Sequence, residues 1–206
     1  DSGNDRVQVF DRGGGYVGTI GGPGAPPEGL ATPRGVAVSG GRVFIADSGH
    51  DRVAVFSIDG VYRGAWEGLA SPWGVATSAD GRTVFVTENR ASRIAVFSAN
   101  GDRLATWGAF GGGDALNRPE GLAVLADGRV VVANTGNQRL TVFDPAGVQI
   151  DSSGPLGAAV HDVAVAPSGV LWSTETDAAG RGDAAVARDV APGLPARGPR
   201  LAAPGA

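Results

Sequence analysis

Four copies of one ten-residue phrase constrain this chain more than any other feature. They read DSGNDRVQVF from Asp1, DSGHDRVAVF from Asp47, ENRASRIAVF from Glu88 and NTGNQRLTVF from Asn134. Their sixth residues are Arg6, Arg52, Arg93 and Arg139, separated by 46, 41 and 46 residues. A period of that size is too long for leucine-rich repeats and suits a unit of several short strands. A second phrase interleaves with the first in fixed order. It reads PRGVAVSGGRVFIAD from Pro33, PWGVATSADGRTVFVTE from Pro72, PEGLAVLADGRVVVAN from Pro119 and, more weakly, VHDVAVAPSGVLWSTE from Val160.

Each copy of the second phrase splits two β-rich apolar runs with a glycine turn, such as Asp80-Gly81 or Asp127-Gly128, which is hairpin chemistry. The Arg-led run follows as a third strand. A further turn, such as Asp59-Gly60, leads to a fourth strand ending near Ile20, Trp66 or Trp107. Four antiparallel strands per repeat predict an all-β chain of β-propeller blades. One such sheet cannot bury both faces, so blades must pack side by side. The innermost strands, Gly35 to Val38, Gly74 to Thr77, Gly121 to Val124 and Asp162 to Val165, are small and apolar, as crowding around an axis requires.

Composition agrees with a globular chain: 42% of the 206 residues are hydrophobic, and the 35 glycines and 13 prolines recur between apolar runs. All 17 basic residues are arginine, a signature of a GC-rich, bacterial type of genome. The absence of cysteine excludes disulfides, thiolate nucleophiles and Cys-ligated zinc. A net charge of −4 argues against a broad phosphate-binding surface, so nucleic acid is not an expected partner. No run approaches the ~20 apolar residues of a membrane helix. Position 1 is not methionine, which points to a processed chain or a piece of a longer one. Location is not readable, with an extracytoplasmic setting favoured.

The two phrases together resemble the NHL-repeat family over roughly Asp1 to Glu175: D-S-G-N-x-R-[IV]-x-V-F after a P-x-G-[IV]-A-V hairpin. That resemblance implies a propeller, commonly six-bladed, in hosts that include lyases, receptor sensor domains and RNA-binding ubiquitin ligases. Fold alone does not choose among them. The repeats predict a propeller region over 1–176: a half-blade at 1–21, blades at 33–67, 72–108 and 119–151, and a half-blade at 160–175. The last hairpin could close a four-bladed ring with the first strands; an incomplete larger propeller is the preferred expectation. Residues 177–206 lack aromatics and the repeat pattern, and are expected to be disordered or aberrant, as from off-frame translation.

The recurring acid or amide five residues before each repeat arginine (Asp1, Asp47, Glu88, Asn134) reads as a structural staple. Recognition is expected where the copies differ. The residue after the repeat proline is such a place, reading Arg34, Trp73, Glu120 and His161, all near the channel mouth and together the expected ligand-binding face. The VHDVAVAPSGVLWSTE hairpin is also similar to the P-H-G-I-A-V, D-G-x-L-W-F-T-E hairpin of virginiamycin B lyase-like proteins. That resemblance implies His161 and Glu175 as candidate catalytic and metal-binding residues, with a divalent metal ion as the possible cofactor. Gly180 stands where an arginine would follow Glu175, and Arg181 comes one residue later. The lyase pattern needs further ligands from other blades, and the other histidine, His50, reads as a solvated turn residue. Trp66, Trp107 and Trp172 are expected in packing between blades, with Trp73 exposed. The runs Gly13-Gly14-Gly15 and Gly111-Gly112-Gly113 precede no helix and read as loops.

The leading expectation is a non-catalytic module binding a protein or small molecule on its channel-mouth face. The alternative is a piece of a metal-dependent lyase or lactonase-type propeller enzyme. RNA binding is a third, weakened by acidity and the lack of lysine.

Overall fold

A computed structural model describes residues 1–24, 27–111, 115–166, 168–176 and 182–188. The first sheet pairs β1 (Val7–Phe10) with β2 (Tyr16–Ile20). The second runs in order through β3 (Pro33–Ser39), β4 (Arg42–Asp47), β5 (Arg52–Ser57) and β6 (Tyr62–Trp66). The third contains β7 (Pro72–Thr77), β8 (Thr83–Glu88), β9 (Arg93–Ser98) and β10 (Arg103–Trp107). The fourth holds β11 (Leu122–Val124), β12 (Val130–Asn134), β13 (Arg139–Phe143) and β14 (Gln149–Ser152). The fifth holds β15 (Ala159–Val165), β16 (Leu171–Thr176) and β17 (Gly182–Arg188). Within these sheets every strand pairs antiparallel with its sequence neighbours, so the chain forms blades in succession. The expected all-β, four-stranded blade is the architecture.

Strand alternation explains why the blades hold together. On β8, Val84 and Val86 pack toward the second sheet, in a cluster with Phe44, Val53 and Val75. Phe85, between them, faces the fourth sheet with Val130, Val132 and Phe143. Each middle strand thus feeds two cores, which is the period of two that a sheet buried on both faces requires. Trp66 and Trp107 seal these interfaces, with ring centroids 5.0 Å from Phe97 and 6.2 Å from Phe143 of the next blade. Gly101 and Gly147 cap the two indoles: a Cβ there would lie 2.4 Å and 2.2 Å from the respective Nε1, and both glycines have positive φ.

The preferred expectation of an incomplete propeller agrees with the sheets: a closed four-bladed ring would need β16 beside β1, whereas β16 pairs with β17, and β1 and β2 form a sheet of their own. One expectation changes. β17 itself falls inside the segment 177–206 expected to be disordered, and gives the fifth blade a third strand. Its register sets Ala184 opposite Glu175, where earlier blades set Arg52 opposite Asp47 and Arg93 opposite Glu88. Nine positions separate this pair where five separate the others, so counting five residues forward to Gly180 misses the partner position. Residues 177–181 and 189–206, together with Gly112 and Gly113, lie outside the described residues.

The repeated phrase is a joint between blades as well as a turn. Asp47 accepts hydrogen bonds from Arg52 Nε at 2.8 Å and from the Ala31 N–H at 2.7 Å, pinning the connection that enters its own blade. Glu88 does the same with Arg93 and the Ala70 N–H, and Asn134 Oδ1 accepts from the Asn117 N–H. The next residue of each phrase reaches forward. Ser2, Ser48, Asn89 and Thr135 donate to the carbonyls of Pro33, Pro72, Pro119 and Val160 in the following blade. Each of those carbonyls immediately precedes Arg34, Trp73, Glu120 or His161, so the joints set the backbone of the channel mouth.

Candidate functional site

Innermost strands approach one another through glycine. A Cβ on Gly35 would lie 2.7 Å from the Trp73 carbonyl oxygen, and one on Gly74 would lie 2.6 Å from that of Glu120. A Cβ on Gly121 would lie 2.6 Å from the Cα of Asp162. Gly35, Gly74 and Gly121 therefore form a backbone ladder around the axis, and Asp162 occupies the equivalent rung in the fifth blade. Sequence reasoning noted disagreement between copies one residue earlier and passed over this one. The substitution of a repeat glycine by aspartate was the signal that would have found it.

The ladder carries Arg34, Trp73, Glu120 and His161 to one concave pocket of about 320 Å³, which Ser2 and Asp162 also line. The four candidate ligand-binding residues thus meet. They differ in environment. Arg34 is exposed and its guanidinium lies 4.2 Å from the centroid of the Trp73 ring, which is half-buried beneath it rather than free. Such stacking holds a cation while leaving its in-plane N–H donors available. Glu120 is buried, its side chain 11% exposed, and its Oε2 lies 2.7 Å from His161 Nδ1. His161 Nε2 lies 3.2 Å from Thr176 Oγ1, so both ring nitrogens are engaged. The Glu120 carbonyl accepts from Thr87 Oγ1, which itself accepts from the Gly74 N–H, tying the third and fourth blades together at this point. Asp162 is exposed at the channel mouth, yet the inner strands crowded around it desolvate its carboxyl and raise its pKa, against the lowering effect of the Val163 N–H bonded to Oδ1.

His161 and Glu175 do not form a pair of their own. The residue on His161 Nε2 is Thr176, whereas Glu175 is buried one position earlier on β16, with Oε1 accepting a 3.0 Å hydrogen bond from Ser173. Among the described residues, no three His, Cys, Asp or Glu side chains gather to hold a metal ion. His161 and Glu175 alone do not make such a site, because a catalytic divalent centre needs about three protein ligands. His50 lies away from the pocket, in the turn between β4 and β5. It takes the place of asparagine, as expected, though half-buried and not simply solvated: its Nδ1 lies 2.9 Å from Asp47 Oδ2, as Asn4 Nδ2 donates to Asp1 Oδ1 at 2.8 Å in the first copy.

Residues 4–154 match the profile of the SMP-30/gluconolactonase/LRE-like region. The chain belongs to this family. A search of curated proteins returned no significant match to the sequence. Among solved structures, streptogramin B lyase superposes with a TM-score of 0.69 at 16% identity, over 93% of this chain and 64% of that one. Virginiamycin B lyase from Staphylococcus aureus gives 0.59 at 17% identity, over 78% of this chain and 56% of that one. A chain of a nidogen/laminin complex gives 0.68 at 23% identity, over 87% of this chain and 65% of that one. These likenesses establish the β-propeller fold of the SMP-30/gluconolactonase/LRE-like chain, which spans less than two thirds of each of the three. Propellers of this shape occur both as lyases and in protein complexes. Among the described residues, no helix is long and apolar enough to cross a membrane.

Proposed function

We propose that this chain is an NHL-type propeller segment that binds a protein or small-molecule ligand on its channel-mouth face, without these residues carrying out catalysis. One observation supports the reading above the others: the four residues at which otherwise similar repeats disagree line a single pocket. Structural positions repeat because each blade has the same packing problem. A cation, an indole, a carboxylate and an imidazole at equivalent positions solve no shared packing problem, whereas a ligand presents different chemistry to each blade. The test is a ligand screen on the isotope-labelled chain, read at the indole N–H of Trp73. Binding that shifts this signal, is lost in Arg34→Ala and, followed by calorimetry, is lost in Trp73→Ala supports the reading; ligands that bind without moving it refute it.

The second reading is a lyase or lactonase-type activity of the longer propeller, and the 2.7 Å contact between Glu120 and His161 favours it. A carboxylate on Nδ1 orients an imidazole and fixes which ring nitrogen faces a substrate, as in acid–base pairs of many hydrolytic sites. Proton transfer at Nε2 would require substrate to displace Thr176. A divalent ion there would supply Lewis acidity and would need ligands beyond His161 and Glu175. Stoichiometric divalent metal lost in His161→Ala, together with metal-dependent turnover, would replace the binding-only reading with this one.

A further inference from the structure

We infer that the channel-mouth pocket takes small zwitterionic ligands, with a carboxylate at the Arg34 end and a protonated amine at the Glu120 end, as in a free amino acid or a short peptide. The inference rests on the binding-face reading and gives it a ligand class. Its basis is hydrogen-bonding capacity left open at both ends of one pocket. Arg34 stacks on Trp73 and takes part in no ion pair or hydrogen bond with any described residue, so a planar fork of donors faces the cavity. That fork matches a carboxylate in a bidentate geometry.

At the other end Glu120 is 8% exposed, and only its Oε2 is used, on His161. Its Oε1 receives no hydrogen bond from a described residue. A nearly buried carboxylate oxygen without a donor is costly, and an ammonium group is the donor that best compensates it. Asp162 adds a second open oxygen, because only its Oδ1 is engaged, by the Val163 N–H. Anion-only ligands would meet these two carboxylates, and cation-only ligands would leave Arg34 unmatched.

Spacing agrees with a small ligand. Arg34 and Glu120 sit two blades apart on strands that touch through the glycine ladder, where a Cβ on Gly35 would lie 3.0 Å from Gly74 Cα and one on Gly74 3.2 Å from Gly121 Cα; at about 4.5 Å per van der Waals step their backbones are on the order of 9 Å apart. A dipeptide spans about 7 Å, and the side chains cover the remainder. The cavity of about 320 Å³ is of that scale.

The test titrates the whole chain with alanylalanine, N-acetyl-alanylalanine and alanylalanine amide, read at the Trp73 indole and by calorimetry. Loss of either charge is expected to weaken binding at least about tenfold, the scale of one charge-assisted hydrogen bond. Arg34→Gln should abolish the penalty for amidation alone, and Glu120→Gln the penalty for acetylation alone. Arg34 is exposed, so its variant keeps the fold and the test stands even where the Glu120 variant does not fold. Equal affinity for capped and uncapped probes overturns the zwitterion inference. So does a screen in which other compounds move the Trp73 signal and none of the three probes does, which leaves the binding face standing. A screen in which nothing moves that signal removes the binding face and the zwitterion together.

Discussion

Replacing Arg52 by leucine probes whether the repeated acid–arginine staple holds the fold in proportion to its burial. In the second blade the staple is wholly enclosed: the side chains of Arg52 and Asp47 are 1% and 0% exposed, with Nε and Oδ2 at 2.8 Å. Arg52 Nη2 also donates to the Gly29 carbonyl at 2.6 Å. Arg52→Leu leaves Asp47 charged and buried with only the Ala31 N–H and His50 as partners. Removing one member of a buried pair costs about 3–5 kcal/mol. For a domain of this size each kcal/mol lowers Tm by roughly 2–4 °C, so the midpoint should fall by about 6–20 °C. The same phrase supplies its own control. In the first copy, Arg6 and Asp1 make the same 2.8 Å contact with side chains 39% and 23% exposed, and Arg6→Leu should cost under about 1 kcal/mol. A double variant, Asp47→Asn with Arg52→Leu, should recover part of the loss, because Asn134 fills that position in the fourth copy and still accepts the inter-blade N–H. Calorimetric or circular-dichroism melts of the three variants decide the matter. Equal destabilisation at Arg6 and Arg52 would refute the link between burial and staple strength.

Three further outcomes follow from the geometry. Gly121→Ala places a Cβ 2.0 Å from Asp162 Oδ1, so it should lower Tm and collapse the channel-mouth pocket, visible as loss of ligand-induced shifts at Trp73. Trp107→Ala, which empties the space between Phe85 and Phe143, should cost about 3–5 kcal/mol by chemical denaturation. Two perturbed carboxylates at the blade joints and channel mouth, Glu88 and Asp162, should act oppositely on pH-dependent stability. Burial alone would raise the pKa of Glu88, but hydrogen bonds from Arg93 and the Ala70 N–H, with the charge of Arg103, hold it below the usual value. Its contribution is therefore present above the ordinary carboxylate range and lost as pH falls through the lowered folded value. Asp162 is raised by burial, so it favours the fold at low pH and costs stability as pH rises through its folded value. Glu88→Gln should flatten the acid limb of a stability–pH curve, and Asp162→Asn should gain stability relative to the parent chain at neutral pH.

The blade pattern was legible because it repeats: four matching phrases fix where strands start, and period-two alternation such as Val84-Phe85-Val86 says that both faces are buried. The grouping of Arg34, Trp73, Glu120 and His161 was equally readable, since equivalent positions in a rotational repeat fall on one face. Other features were not. Ser2, Ser48, Asn89 and Thr135 look like ordinary turn residues, and their role as joints to the next blade exists only between sheets. Asp162 was passed over because its position was read as inner-strand packing. β17 was not legible because its residue opposite Glu175 stands nine positions on, where the other blades keep five, and repeat counting presumes five.

The sequence by itself therefore determined the unit, its strand order and which residues stand at the channel mouth, because those are local and periodic properties. Tertiary structure alone decided what those residues do to one another: Arg34 laid over Trp73, Glu120 buried against His161, and Thr176 rather than Glu175 at the second imidazole nitrogen. The physical reason is range. Hydrogen bonds and stacking act over a few ångströms, between blades in the case of Arg34 on Trp73 and Glu120 on His161, 41 residues apart, and across one sheet in the case of Thr176, and no pattern within one repeat encodes those distances.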